Sequence, residues 1–382
     1  MIKAFVKEHK NSIITASIIL IVLAAVLLIW RLFPVEYSLF KNKGTTYEKG
    51  RVVSVNSQTL EDSKDTPGRN IGIQNITVEF TEGEYKGESV TFDNYLSSVH
   101  SIEVVKGTRV VVKCDRPDGV APYYSLYQYD RSSGIITILI IFAALLIIVG
   151  RKKGLMSGLA LFVSIMIIGF GLLPLIYNGF SPILASLIVC VIITVVTLLL
   201  LNGFSKKTLI ALLSTFTGLF VSVGEYALTA KILNVTGYNI EETESLIMVS
   251  RETGLKISEV IFSGILLASL GAVMDTTMSI SSALYEITCV DERVSKKSLF
   301  KSGMNMGSDM IGTMCQTLVL AFVGSSIALL LVVYSYGTQL SQFLASEYFA
   351  VELFQSLTGS FAVILAVPIT SWMFSMLYKK KG

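Results

Sequence analysis

Residues 264–287, GILLASLGAVMDTTMSISSALYEI, decide the class of this protein, because a carboxylate interrupts a run that is apolar and long enough to cross a bilayer. Asp275, Ser279, Ser282 and Glu286 follow at steps of four, three and four, which places them on one face of a helix. A carboxylate near the bilayer centre costs roughly 3 kcal/mol, and such groups usually mark ion or substrate paths. The stretch predicts a membrane helix with one polar side.

A second segment, residues 302–332, has the sequence SGMNMGSDMIGTMCQTLVLAFVGSSIALLLV and repeats the pattern. Asn305, Asp309, Thr313 and Gln316 recur at steps of four, four and three, again on one helical face. We expect the two polar stripes to be buried against each other in the membrane. Counting from the turn between the two segments sets Asp275 level with Gln316 and brings Asp309 nearer the cytoplasmic surface.

The composition indicates a polytopic membrane protein. Of its 382 residues 52% are hydrophobic and 15% are charged, which is too apolar for a soluble globular chain of this length. No basic tract predicts nucleic-acid binding. The four cysteines are widely spaced and only His9 and His100 accompany them, so neither a disulfide framework, a metal site nor a cofactor is predicted. No catalytic motif is present, and we do not expect an enzyme.

Hydropathy and charge predict eight membrane helices with both chain ends in the cytoplasm. The short basic loops, such as the one at Arg151, fall on one side of this arrangement, as the positive-inside rule requires. The fifth helix carries a further carboxylate, Glu225, in its outer half. The predicted helices are residues 13–33, 134–150, 155–176, 183–201, 208–232, 257–287, 304–333 and 356–378.

The chain is predicted to have three parts. Residues 1–34 form an uncleaved membrane anchor, and residues 134–382 form a seven-helix transmembrane domain. Between them, residues 35–133 alternate apolar and polar positions and contain turn residues, which predicts a small extracytoplasmic β-domain, either OB-like or a sandwich.

The motifs LGAVMDTTMSISSALYE, KSGMNMGSDMIGTM, LAFVGSSIALLL and SLTGSFAVILAVPIT make the chain resemble the YibE/F family of multi-spanning bacterial membrane proteins. The resemblance covers roughly residues 134–372. It implies the bacterial cell membrane as the location. The anchor and β-domain fit the longer, YibE-like member of a two-member system, which implies a YibF-like partner or a homo-oligomer.

A weaker resemblance links GAVMDTTMSISSALYE to the SecD/SecF and resistance-nodulation-division permeases, and it implies proton-coupled work in which Asp275 carries the proton. The leading hypothesis is therefore a permease-like, cation-coupled transport or translocation component. Its ion or proton path would comprise Asp275, Asp309, Asn305, Gln316, Thr313, Ser279 and Glu225. The alternative is a non-transporting scaffold, in which the polar stripes only hold helices or subunits together.

Overall fold

The computed structural model describes residues 10–35, 44–117, 119–235 and 243–378. The chain divides into two compact units. One is Glu36–Leu145, and the other combines Met1–Val35 with Leu146–Gly382. Each unit is described in turn.

The first unit is built on one five-stranded antiparallel sheet with the order β3-β2-β1-β4-β5. The alternation of apolar and polar residues explains why these segments form strands with one buried face. Strand β4, for example, buries Val110, Val112 and Cys114, and the residues between them are less buried. Register shifts after Val52 and Val55 mark bulges that bend the long first strand. The strands are β1 Thr45–Asp62, β2 Asn70–Phe80, β3 Ser89–Leu96, β4 Arg109–Asp115 and β5 Tyr123–Tyr129.

The bent sheet curls into a half-barrel. The rings of Phe92 on β3 and Tyr124 on β5 approach to 6.4 Å between centroids, so the two outer strands come near each other without pairing. The predicted β-rich domain is thus confirmed. The described strands form a single curled sheet, whereas a sandwich needs two packed sheets.

A buried amide network fixes a loop segment to this sheet. The Gln74 side chain accepts a hydrogen bond from the Val104 backbone N–H and donates to the Val104 carbonyl, both at 3.0 Å. Asn94 donates to Gln74 at 3.3 Å and to the Ile102 carbonyl at 2.8 Å. Gln74 and Asn94 are 1% and 3% exposed, so these bonds replace water for backbone groups that would otherwise lack partners.

Helices make up most of the remaining described chain. Six stretches of the described residues are long and apolar enough to cross a membrane: Ser132–Tyr177, Pro182–Asn202, Lys206–Ile232, Ile257–Val290, Lys296–Ser325 and Phe349–Leu377. The helices are α1 Lys10–Leu32, α2 Ser132–Ile167, α3 Leu173–Tyr177, α4 Pro182–Asn202, α5 Lys206–Ile232, α6 Thr243–Thr253, α7 Ile257–Val290, α8 Lys296–Ser325, α9 Ile327–Ser335, α10 Leu340–Ala345 and α11 Glu347–Leu377.

The six stretches compare with eight predicted helices. The predicted second and third helices are joined in one stretch of 46 residues, Ser132–Tyr177. Its backbone breaks at Arg151, which has φ 49° and ψ −128°, outside the helical range. Just beyond, a Cβ on Gly154 would lie 1.8 Å from the Leu146 carbonyl oxygen, so the chain turns sharply here. The predicted first helix corresponds to α1, whose apolar part is Ser17–Leu32.

Two predicted helices have different bounds in the structure. The segment expected at residues 304–333 begins earlier, at Lys296, because Ser295 caps α8 by accepting a hydrogen bond from the Ser298 N–H. That helix ends at Ser325, and α9 follows as a separate piece. The last helix likewise begins at Glu347, nine residues before the predicted start at residue 356, with Ser346 as its cap.

In the second unit, Met1–Val35 with Leu146–Gly382, which we call the membrane unit, helix α11 packs against α5, α7 and α8. The Tyr226 ring stacks on Phe354 with centroids 5.2 Å apart and contacts Phe262 at 4.3 Å, which joins α5, α11 and α7. Elsewhere along α5 and α7, the buried hydroxyls of Thr215 and Thr277 lie 2.7 Å apart. These contacts determine which faces of α7 and α8 are left uncovered.

Candidate functional site

The polar side of α7 faces away from the protein core. Asp275, Ser279 and Glu286 are exposed and Ser282 is half-buried. Between Ile257 and Cys289 the helix exposes no large apolar side chain, so small and polar residues form its entire outer face. That face consists of Gly264, Ala268, Gly271, Asp275, Ser279, Ser282 and Glu286.

Helix α8 shows the same arrangement. Its predicted polar residues Asn305, Asp309, Thr313 and Gln316 are all exposed, together with Ser308, Gly312 and Thr317. The large apolar side chains that α8 exposes lie beyond the two ends of this stretch, at Phe300, Leu320 and Val323. We call Asp275, Ser279, Asn305, Asp309, Thr313 and Gln316 together the polar edge.

The expectation that the two stripes bury each other is not met. The side chains of Asp275, Asp309, Asn305 and Gln316 form no hydrogen bond or ion pair with any other described residue. The Thr313 hydroxyl donates only to the Met310 carbonyl of its own helix, at 3.0 Å. The physical reason is that the opposite faces of both helices are the ones that pack against α11.

Two glycines bring α8 very close to α11. A Cβ on Gly307 would lie 2.2 Å from Cγ1 of Val367, and one on Gly303 would lie 2.4 Å from Oγ of Ser371. Both glycines and both partners are buried. Because no larger residue fits, these positions fix the rotation of α8 about its own axis and so point the polar edge outward.

Counting residues from the connected ends of α7 and α8 places the two carboxylates of the polar edge at similar levels. Asp275 is 15 residues before the end of α7 at Val290, and Asp309 is 13 residues after the start of α8 at Lys296. The five-residue connection makes the helices antiparallel neighbours, so the levels differ by about 3 Å at 1.5 Å per residue. On this count Asp309 lies nearer than Gln316 to the level of Asp275, because α8 begins at Lys296 and not at residue 304.

The polar edge differs from the lipid-compatible surface of the other helices. Helix α2 exposes Ile138, Leu139 and Phe142, and α11 exposes Phe361 and Leu365. An aspartate at the centre of a membrane helix costs about 2.5–3.5 kcal/mol against lipid, and the polar edge contains two. Contact with protein or water in place of lipid removes this cost, so we expect the polar edge to face protein or water.

Glu225 is separate from the polar edge. It is half-buried on α5, where Oε1 accepts a hydrogen bond from Thr229 at 3.0 Å, and the buried Oε2 has no hydrogen-bond partner among the described residues. The neighbouring Tyr226 hydroxyl donates to the Ser258 carbonyl, one residue into α7. Asp275 is 17 residues further along α7, about 25 Å away, so the structure does not bring these two carboxylates together.

Sequence reasoning missed Glu259, which joins two loops to α7. Its carboxylate accepts a hydrogen bond from the Ser181 hydroxyl at 2.6 Å and forms an ion pair with Lys256 at 3.1 Å. The sequence signal that could have identified it is an acidic residue in the first turn of a helix, where its negative charge interacts favourably with the positive end of the helix dipole. In the described ranges, no group of three His, Cys, Asp or Glu side chains is placed to hold a metal ion.

Comparison with known protein families gives two matches. Residues 138–380 match the family described as YibE/F-like protein, and residues 45–122 match the YibE/F family N-terminal domain. No curated protein and no solved structure matches the chain. The first match alone covers more than half of the 382 residues and includes the whole polar edge. The chain therefore belongs to the YibE/F family, as its motifs predict.

Proposed function

We propose that this YibE/F protein is a permease-like component of the bacterial cell membrane that transports, or is driven by, a proton or sodium ion. One observation carries the proposal. Asp275 and Asp309 lie near the middle of two long apolar helices and are exposed on stretches that lack exposed large apolar side chains. A membrane protein has little use for two exposed mid-membrane carboxylates unless water, a cation or another subunit meets them.

The residue types of the polar edge suit a cation. Sodium and other hard cations take oxygen ligands, and a proton needs a group that can bind and release it. Asp275 and Asp309 supply carboxylates, and Asn305 and Gln316 supply amide oxygens around them. The hydroxyls of Ser279 and Thr313 add further acceptors. In this proposal Asp275 is the titrating group, in line with the weaker likeness to proton-driven SecD/SecF permeases, and Glu225 acts separately near the other end of α7.

We further propose that the chain crosses the membrane eight times, with both ends in the cytoplasm and residues 35–133 outside. The 46-residue stretch Ser132–Tyr177 is about twice the length that one crossing needs, and its break at Arg151 adjoins Lys152 and Lys153. Basic residues at that break suit a cytoplasmic turn. With α1 as a further crossing, residues 134–382 then supply seven.

Helices of another subunit must cover the polar edge to enclose a path, and we assign them to a YibF-like subunit or to another copy of the chain. The described residues leave both stripes uncovered, so in this proposal a closed path requires helices from another subunit. This division would make the isolated protein inactive and the assembled complex active. A transport assay must therefore contain the assembled complex.

The transport test is a flux measurement in proteoliposomes containing the protein with its partner subunit. Asp275→Asn and Asp309→Asn should each lower proton or sodium flux at least ten-fold, because the side-chain amide carries no charge and does not bind and release a proton at physiological pH. Glu286→Gln is the matched control on the same face of α7, near the helix end, and should keep wild-type flux. Undiminished flux in Asp275→Asn would rule out its role, and absence of flux from the wild-type complex under either gradient would rule out transport.

The second candidate function is a non-transporting scaffold. Gly264, Ala268 and Gly271 precede Asp275 on the same exposed face, and small residues allow another helix to approach closely. In this case Gly271→Leu should abolish co-purification of the partner by steric exclusion, while the wild-type complex shows no flux. Flux by the wild-type complex would favour the permease.

A further inference from the structure

A cavity of about 810 Å³ opens at the end of the membrane unit where α7 and α11 end and α5 and α8 begin. Four separate parts of the chain line it: the start of α5, the last turns of α7, the connection into α8, and Tyr378 after α11. It shares no residue with the polar edge: its lining residues Tyr285 and Leu299 are each six residues, or about 9 Å, from the nearest polar-edge residue on the same helix.

The lining of this cavity is positively charged. Lys206, Arg293 and Lys296 contribute cations, and Glu292 contributes a single acid. None of the three cations forms an ion pair with a carboxylate in the part of the chain that the structure describes. Three unneutralised cations around one concave surface attract an anion more strongly than the same charges spread over a convex surface.

Two tyrosines hold cations at the cavity. The Lys206 ammonium lies 5.9 Å from the centroid of the Tyr378 ring, and the Lys207 ammonium lies 5.4 Å from that of Tyr285. The two rings are themselves in edge contact, with centroids 6.2 Å apart. Ring contacts of this kind favour ordered positions of the lysine side chains without neutralising their charge, which leaves the ammonium groups able to bind an anion.

The surroundings are partly apolar. Leu299 contributes an apolar side chain to the lining, and the Lys296 ammonium lies 4.0 Å from the sulfur of Met376 on α11. The last turns of α11 expose Trp372, Met376 and Leu377. A charged cavity beside exposed apolar and Trp side chains at the end of a membrane helix fits the headgroup and first methylenes of a lipid.

We propose that this cavity binds a phosphate-bearing anion through Lys206, Arg293 and Lys296. The chemistry that recognises it is shared by the headgroup of an anionic phospholipid and by a soluble phosphate compound. Arg293 can hold two phosphate oxygens at once, and the two lysines add point charges. The site is independent of the proposed transport function, because none of its residues belongs to the polar edge.

The test measures ligand binding to the purified full-length protein in a neutral detergent. Dioctanoyl phosphatidylglycerol, dioctanoyl phosphatidylcholine and inorganic phosphate serve as the three probes, titrated by microscale thermophoresis. We expect wild-type protein to prefer phosphatidylglycerol over phosphatidylcholine. Lys206→Gln, Arg293→Gln and Lys296→Gln combined should weaken phosphatidylglycerol binding roughly 100-fold, about five-fold for each cation removed.

A control variant keeps the charge change equal. Lys231→Gln, Arg251→Gln and Lys301→Gln combined remove three exposed cations that do not line the cavity, and this variant should bind within two-fold of wild type. The single variant Arg293→Gln, in the connection between two helices, keeps the test valid should the triple variant fail to fold. It should lose about five-fold.

The outcomes separate the two sources of phosphate. Phosphatidylglycerol binding that inorganic phosphate does not displace supports a lipid ligand, and displacement by inorganic phosphate supports a soluble one. Equal affinity for phosphatidylglycerol and phosphatidylcholine would overturn the proposal. So would equal weakening in the cavity variant and the control variant, since that result means a non-specific effect of net charge.

Discussion

Replacing Gly307 by alanine tests whether close packing against α11 sets the orientation of α8. The added Cβ would lie 2.2 Å from Cγ1 of Val367, whose side chain is fully buried in the membrane unit. Overpacking of this kind costs about 1–3 kcal/mol. Alanine also favours the helix by up to about 1 kcal/mol over glycine, which offsets part of that cost.

The matched control is Gly312→Ala, five residues further along α8. A Cβ there meets no atom within 4 Å, so only the gain in helix propensity applies. The two variants should therefore differ in unfolding free energy by about 1–3 kcal/mol, with Gly307→Ala the less stable. Val367→Ala added to Gly307→Ala should recover part of the loss, because it removes the methyl groups that clash.

The assay is thermal unfolding of the detergent-solubilised protein, followed by the onset of aggregation and by tryptophan fluorescence, since Trp372 lies on α11. Gly307→Ala should unfold at a lower temperature than wild type and Gly312→Ala at the same or a higher one. Equal unfolding temperatures for the two single variants would refute the reasoning that contact at Gly307 fixes α8.

Two further predictions concern the β-unit. Gln74→Leu leaves the buried N–H and carbonyl of Val104 without partners, which costs about 1–3 kcal/mol per lost bond and should speed amide hydrogen exchange in that segment at least ten-fold. The control is Gln58→Ala, which removes an exposed hydrogen-bond partner of Gln74 and should change the exchange little. Equal exchange rates in the two variants would contradict this prediction. Burial raises the pKa of the Cys114 thiol to about 11, so at pH 8 about one thiol in a thousand is ionised. Maleimide labelling of native protein should therefore be far slower at Cys114 than at the exposed Cys289 and should accelerate as pH rises; comparable rates at pH 8 would count against this burial.

The sequence predicts the membrane class, the β-unit and the grouping of polar residues on single faces of two helices. These follow from local periodicity, which the structure preserves at Asp275 and Ser279 and again at Asn305 and Asp309. Periodicity shows that residues share a face. It does not show what that face contacts, since this depends on packing between distant segments.

The predicted burial of the polar edge was wrong for that reason. The faces that are buried carry Val273 on α7 and Gly303 and Gly307 on α8, and α11 covers them with residues such as Val367. The start of α8 differs for another reason: hydropathy located the membrane segment from residue 304, whereas the helix begins at Lys296.

The most direct test of the central claim, that the polar edge does not face lipid, is spin-label accessibility in reconstituted membranes. Labels at Ser279→Cys and Thr313→Cys, in a chain without its four native cysteines, are compared with a label at Phe361→Cys, an exposed position near the middle of α11. We predict lower collision rates with oxygen at the first two sites than at the third, because protein or water replaces lipid there. High oxygen accessibility and low accessibility to a water-soluble nickel complex at all three sites would contradict the claim.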